Sequence, residues 1–424
     1  MSNIKKISSD IVKAEYYEID HSSGLKIFVY PKKGYKSTYA IFGTNYGSVN
    51  TKFKVDGGEP ITVPDGIAHY LEHKLFESED GDAFAKYAKT GANANAYTSF
   101  EKTCYLFSCT DKFEESLEIL LDFVQSPYFT PETVAKEQGI IGQEIKMYDD
   151  SPDWRVMFNT LVGMYHNHPV KIDIAGTVES IAQITAEKLY ECYNSFYNLH
   201  NMALCVVGNA TVEQVLAIAD KKLKISEKHD VESIFEDEPY GVAKTDIVQK
   251  FPVTIPLFNL GFKQKPFDKQ KDQKKYVYQA IALEVIFGES GELYNNLIDA
   301  ELINSSSFGY ERMEGPGYSL TIVGGESREP EKAADMIKSY IKELKKTGIS
   351  KEDFEMVKKS LYGEEIAAFN SNSQIANAVI DDYFMGRNLF GYIETIANAT
   401  LDDVNLILGE LIDEDNTTLS RIIP

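Results

Sequence analysis

The chain has 424 residues, 43% hydrophobic and 12% aromatic, more than one core comfortably organises, so two to three domains are expected. Its net charge of −22 and pI near 4.8 disfavour a nucleic-acid surface and leave basic peptides as the charge-complementary ligands. No window approaches 18 apolar residues, and the polar segment from Met1 to Tyr17 lacks the apolar centre of a secretory signal, so a soluble cytoplasmic protein without membrane association is expected.

Residues 24–30 and 37–42 have the composition of strands. Pro64-Asp65 then opens a helix, with Asp65 as its expected cap and Ile67, Tyr70, Leu71 and Leu75 as its core stripe. A second helix ends at Gly91, and residues 95–98 and 103–108 form a hairpin. Residues 112–126 make an amphipathic helix stopped by Pro127, and Thr130-Pro131 starts a helix running to about Tyr148. Cys104, Cys109, Cys192 and Cys205 have neither zinc-knuckle nor C-x-x-C spacing and are expected as buried free thiols.

Residues 226–242 are acidic and aperiodic and mark a linker, which divides the chain into residues 1–230 and 231–424. Beyond it the order of landmarks repeats. Tyr105-Leu-Phe-Ser, Thr130-Pro-Glu and Gly142-Gln-Glu-Ile145 have counterparts in Tyr318-Ser-Leu-Thr, Ser350-Lys-Glu and Gly363-Glu-Glu-Ile366, displaced by 213 to 221 residues. The expected fold class is therefore α+β, a duplicated unit in which each copy is a mainly antiparallel sheet packed with helices. The stretch matching the first helix, near Ala282 to Phe287, contains no histidine, so only the first copy is expected to hold a metal.

The chemistry lies in His69-x-x-Glu72-His73. Positions i and i+4 share a helix face, so His69 and His73 can grip one ion, and Glu72 beside them is placed to take a proton from a water activated there. A catalytic zinc ordinarily takes three protein ligands. Glu137 and Glu144, nearly two turns apart on the later helix, are both candidates for the third, and Gly139 and Gly142 between them suggest that another element packs close to that helix. His166-x-His168 is a weaker local metal candidate, and His21, His200 and His229 are isolated.

Together, His69-x-x-Glu72-His73 and Glu137-x6-Glu144 resemble the pitrilysin family of zinc peptidases, which includes insulysin and the mitochondrial processing peptidase. The resemblance implies Zn2+ held by His69, His73 and Glu144, with Glu72 as general base and Glu137 supporting the site from outside the ligand set. The interval of 71 residues from His73 to Glu144 is shorter than in the best-known members. The stretch from Gly91 to Thr98 resembles the family's edge strand, to which a peptide substrate adds as a further strand, with Asn95 and Ala96 at the gripping positions. Arg312 and Tyr318 resemble an Arg…Tyr pair, supplied from the opposite half or a partner subunit, that holds the scissile carbonyl. The length is that of half-length bacterial members that work in pairs. It implies one half of a clamshell, closed around short or unfolded peptides by a homodimer or by a heterodimer with a metal-free homologous subunit. A non-hydrolytic peptide-binding or scaffolding subunit is the alternative, and the complete ligand set favours the enzyme.

Overall fold

The computed structural model describes residues 3–79, 81–266 and 273–424. The chain forms two compact units, the first made of Met1–Ile145, Asp173–Ile234 and Ile366–Phe390, the second of Lys146–Ile172, Phe235–Glu365 and Gly391–Pro424. The first is built on a seven-stranded sheet of β1 (Asn3–Ser9), β2 (Ala14–Asp20), β3 (Lys26–Pro31), β4 (Thr38–Thr44), β5 (Asn93–Thr98), β6 (Thr103–Cys109) and β7 (Met202–Gly208). Their order is β1-β2-β3-β7-β4-β6-β5, with β7 parallel to β3 and every other pair antiparallel.

Helices α1 (Ile67–Leu75), α2 (Ala83–Thr90) and α3 (Phe113–Val124) lie on one face of this sheet, and α4 (Pro131–Asp149) follows them. Leu71, Leu120, Leu204 and Val206 share the core beneath them. The helix α1 does not start on an Asp65 cap. Its N-cap is Gly66, left-handed at φ 86°, and a Cβ there would come within 2.3 Å of the Ala175 carbonyl. All four cysteines are buried free thiols, as their spacing implied.

After α5 (Pro152–Met164), the second unit carries a five-stranded sheet of β8 (Asp246–Lys250), β9 (Leu257–Lys263), β10 (Gly309–Gly315), β11 (Tyr318–Glu326) and β12 (Thr417–Ile423), with helices α6 (Gln273–Phe287), α7 (Pro330–Thr347) and α8 (Lys351–Ala368) in the intervening chain; α9 (Asn372–Phe384), which follows α8, belongs to the first unit. Its order, β8-β12-β9-β11-β10, with β12 parallel to β8 and the rest antiparallel, repeats β3-β7-β4-β6-β5 strand for strand. The duplication read from the landmarks is thus a duplication of topology. In α6, Ala282, Leu283, Val285, Ile286 and Phe287 are buried and apolar, so the second copy uses as core what the first uses as a site.

The units differ from a division at residue 230 because each takes a helix from the far half of the sequence. The helix α5 packs on β9 and β12 of the second sheet, while α9 packs on β4 and β7 of the first. Ile375, Ala376, Val379 and Ile380 of α9 cover Ile41, Cys205 and Val207, which explains why β7 is buried at every position. Under α5 the fit is close enough that a Cβ at Gly261 would meet Thr160 Cγ2 at 2.6 Å and Met164 Sδ at 2.5 Å. Gly261→Val is expected to destabilise this unit by about 2–3 kcal/mol through overpacking, read as a lower midpoint in denaturant unfolding.

The acidic stretch expected as a linker is structured in part. Val231–Ser233 pairs antiparallel with Lys52–Val55. In the second unit the Glu238 carboxylate accepts the backbone N–H groups of His166, Asn167 and His168 at 2.7–2.9 Å and the Lys263 ammonium at 2.6 Å. The two histidine rings face the carbonyls of Gly241 (His166, 3.1 Å) and Pro316 (His168, 2.8 Å), so His166-x-His168 is a carboxylate cradle and not a metal site. Burial pushes the Glu238 carboxyl up, but Lys263 and the three N–H donors outweigh it and hold it at about 2, below the ordinary 4.5. A depressed carboxylate stabilises the fold above its unfolded value and loses that contribution as pH falls from 4.5 towards 2. The expected loss is about 2 kcal/mol after solvent screening, seen as an acid-unfolding slope that Glu238→Gln flattens.

Candidate metal centre

The motif helix α1 presents His69, Glu72 and His73 from a nearly wholly buried element, with His69 and Glu72 each 9% exposed. Across from it, α4 packs through Val134, Ile141 and Ile145, and the Tyr70 hydroxyl donates to the Val134 carbonyl. Glu137 and Glu144 flank that stripe, which brings both carboxylates to α1. Gly139 and Gly142 play no part in the approach, since a Cβ at either would meet open space. At 100° per residue Gly139 falls on the far side of α4 and Gly142 off the contact stripe.

Among the described residues, His69, His73 and Glu144 form the one group of three potential metal ligands, their donor atoms all within 4.8 Å of one another. Glu144 Oε1 lies 3.7 Å from His69 Nε2, and Oε2 lies 3.5 Å from His73 Nε2. Donors around a tetrahedral zinc stand roughly 3.3 Å apart, so the two nitrogens and one carboxylate fit that ion with small adjustment. Burial, then the neighbouring His73, lowers His69 to about 3, so its ring is neutral, as a ligand must be.

His73 Nδ1 is 3.0 Å from Glu137 Oε1, which assigns the ring proton to Nδ1 and leaves the Nε2 lone pair towards Glu144. The same bond is the main cause of the lowered Glu137 carboxyl. Glu137→Gln is expected to weaken zinc retention about 10–100-fold in a chelator competition, through loss of this orientation.

Glu72 stands apart from this set. Its Oε2 accepts the Thr98 hydroxyl at 2.9 Å, and burial raises its carboxyl above the ordinary range despite opposing pulls from His73 and Thr98. A carboxylate of raised basicity, fixed by one hydroxyl, is suited to proton transfer. Thr98 had no role in the sequence reading. The signal available was its parity with Ala96 on a strand, which turns both side chains to the α1 face.

Asn95 and Ala96 lie on β5, the outer strand of the sheet. The Ser99 N–H donates to the Lys102 carbonyl at the hairpin end, so strand alternation ties Tyr97 and Asn95 to β6 and turns the backbone of Ala94, Ala96 and Thr98 outward. The Ala96 N–H is occupied by the carboxamide oxygen of Asn95 at 2.9 Å. A pocket of about 500 Å³ opens beside Asn95, Ala96, Glu72 and His73.

Arg312 and Tyr318 do not converge. In the β10–β11 hairpin Arg312 pairs with Thr321 and Gly315 with Tyr318, so the two side chains stand on opposite faces of the sheet. Arg312 lies over the Tyr276 ring and donates to the Tyr276 carbonyl, Gln279 and Glu314 at 2.6–2.9 Å. Tyr318 is 2% exposed, packed with Tyr165 and His168. The structure corrects the expectation of a joint carbonyl-holding pair.

Residues 51–178 match the family described as insulinase (peptidase family M16), and residues 183–361 match the one described as peptidase M16 inactive domain. The chain is 41% identical over 428 residues to the uncharacterized zinc protease YmfH of Bacillus subtilis (strain 168), covering 99% of each. It aligns with a crystal structure described as an M16-like peptidase from Alicyclobacillus acidocaldarius at TM-score 0.90 and 33% identity, over 100% of this chain and 98% of that one. A protease from Helicobacter pylori shares the fold at TM-score 0.81 and 21% identity, over the full length of both chains. No helix among the described residues is long and apolar enough to cross a membrane.

Proposed function

The chain belongs to the insulinase (M16) family of peptidases, and on that premise we propose that it is a zinc metalloendopeptidase hydrolysing short or unfolded peptides. The observation that carries this reading is the convergence of His69, His73 and Glu144, with Glu72 beside them but outside the ligand set. The zinc protease name of its full-length relative supports the choice of metal. The match to an inactive domain spans residues 183–361, beyond all four of these residues.

Bound between the three donors, zinc supplies Lewis-acid polarisation of a carbonyl and acidification of water. Glu72 accepts the proton of the attacking water and delivers it to the leaving amine, held throughout by Thr98. Glu137 keeps His73 in the ligating tautomer. An extended peptide pairs with the outward backbone of β5 once the Asn95 carboxamide releases the Ala96 N–H. In this proposal the chain works in the cytoplasm as a homodimer, or with a metal-free homologous subunit, around an enclosed chamber.

The test is zinc content measured on the purified chain together with cleavage of a quenched mixed-peptide library. Near-stoichiometric zinc and chelator-sensitive cleavage are expected. Absence of zinc binding would sink the metal site, and zinc without cleavage by the chain, alone or paired, would favour a scaffolding subunit.

A further inference from the structure

Resting on that peptidase reading, we infer that Asn377 of α9, 280 residues from the tyrosine it touches, is a positioning residue for the substrate. Through the Tyr97 hydroxyl it holds β5 in the extended shape that an added peptide requires.

A strand that receives a peptide must be in place beforehand, because any ordering of its backbone during binding is subtracted from affinity. β5 is six residues long and has one neighbour, β6, so hydrogen bonding fixes only one of its edges. What grips its two faces then decides how well it is set. On the α1 face Thr98 is bonded to Glu72. Tyr97, between Ala96 and Thr98, turns to the opposite face and reaches α9, where its hydroxyl donates to Asn377 Oδ1 at 2.8 Å. Asn377 Nδ2 donates to the Ser373 carbonyl at 2.9 Å, one turn back in the same helix, which keeps the carboxamide oxygen towards Tyr97. One turn further along α9, Asp381 is ion-paired with Lys102, in the turn that joins β5 to β6.

The body of α9 lies over β4 and β7, so these two long side chains span the remaining distance to the outer hairpin. The duplicated topology supplies an internal comparison. In the second unit α5 lies over β9 and β12, the counterparts of β4 and β7. There the space between α5 and the outer strand β10 is an open cleft of about 280 Å³, with Asp153 and Met157 on one side and Gly309 and Glu311 on the other. The same gap is bridged in the copy that carries the metal ligands and open in the copy that does not.

The experiment uses the zinc-loaded chain and the best-cleaved quenched peptide of the library, in the wild type, Tyr97→Phe, Asn377→Leu and the double variant. Each single variant is expected to raise KM about 5–10-fold, with kcat within about twofold and zinc content unchanged, since a bound peptide itself restores the order of β5. The double variant is expected to be no worse than either single one, because both remove the same bond. Hydrogen exchange at the Asn95 and Tyr97 amides is expected to speed up about tenfold in each variant. A lowered unfolding midpoint with unchanged KM, or KM effects that add in the double variant, overturns the inference and leaves the peptidase reading standing. Should the wild type cleave nothing, the peptidase reading is what fails, and exchange alone decides. Faster exchange confined to β5 upholds the hold of α9 on that strand, and unchanged exchange overturns it.

Discussion

Replacing Glu72 with glutamine is expected to lower peptide cleavage by about 10²–10⁴-fold while zinc content stays at the wild-type level. The two parts of the result follow from different contacts. Zinc content depends on His69, His73 and Glu144, whose donor atoms face one another without Glu72. Cleavage depends on a carboxylate that takes up and returns a proton, which an amide of the same shape cannot do. The Thr98 hydroxyl still finds an oxygen acceptor in the variant, so the side chain keeps its place and the loss reports proton transfer alone. Full activity in Glu72→Gln would remove this residue from the chemistry. Loss of zinc as well would make Glu72 a ligand and overturn the division of roles.

Glu144→Ala is expected to have the larger effect on the metal, weakening retention by more than about 100-fold, beyond the range for removing a partner that only orients a ligand. The alanine leaves two imidazoles with no anionic donor, and His69 and His73 alone are a poor zinc site. Comparison with Glu137→Gln in the same chelator titration separates the two carboxylates. If the Glu137 variant loses more zinc than the Glu144 variant, the assignment of ligand and supporting residue is reversed. Both glutamates are on one helix seven residues apart, so spacing alone left either as the ligand; the family resemblance pointed to Glu144, and the hydrogen bond of His73 Nδ1 to Glu137 agrees with it.

The parts of the site that were legible are those governed by one element's own period. His69, Glu72 and His73 share a helix face by spacing alone, and the hairpin holding Asn95 and Ala96 follows from its flanking strand composition. The parts that misled involve a second element. Gly139 and Gly142 suggest close packing by their small size, yet on α4 the contact stripe is Val134, Ile141 and Ile145. Arg312 and Tyr318 are an even number of residues apart, which in one strand would place them on one face. A turn intervenes, Gly315 and Tyr318 become cross-strand partners, and Arg312, three residues before Gly315, falls on the other face. The assignment of residues 146–172 and 366–390 to a different unit from their sequence neighbours has no local signature, because a helix's own pattern says that one face is covered but not by which sheet.

That last arrangement governs how the chain is made. A ribosome that has released residues 1–234 has delivered every strand of the first sheet, yet the face of Ile41, Cys205 and Val207 stays bare until α9 emerges more than 130 residues later. The first unit therefore closes only once α9 has been made, through contacts of long sequence separation, and until then exposes an apolar sheet face of the kind that aggregates or recruits chaperones. Expression of residues 1–230 alone is accordingly expected to yield insoluble protein, while the same fragment supplied with residues 366–390 as a separate peptide gains its missing layer. Neither half of this chain is therefore expected to fold without the other, however clear the duplication that produced it.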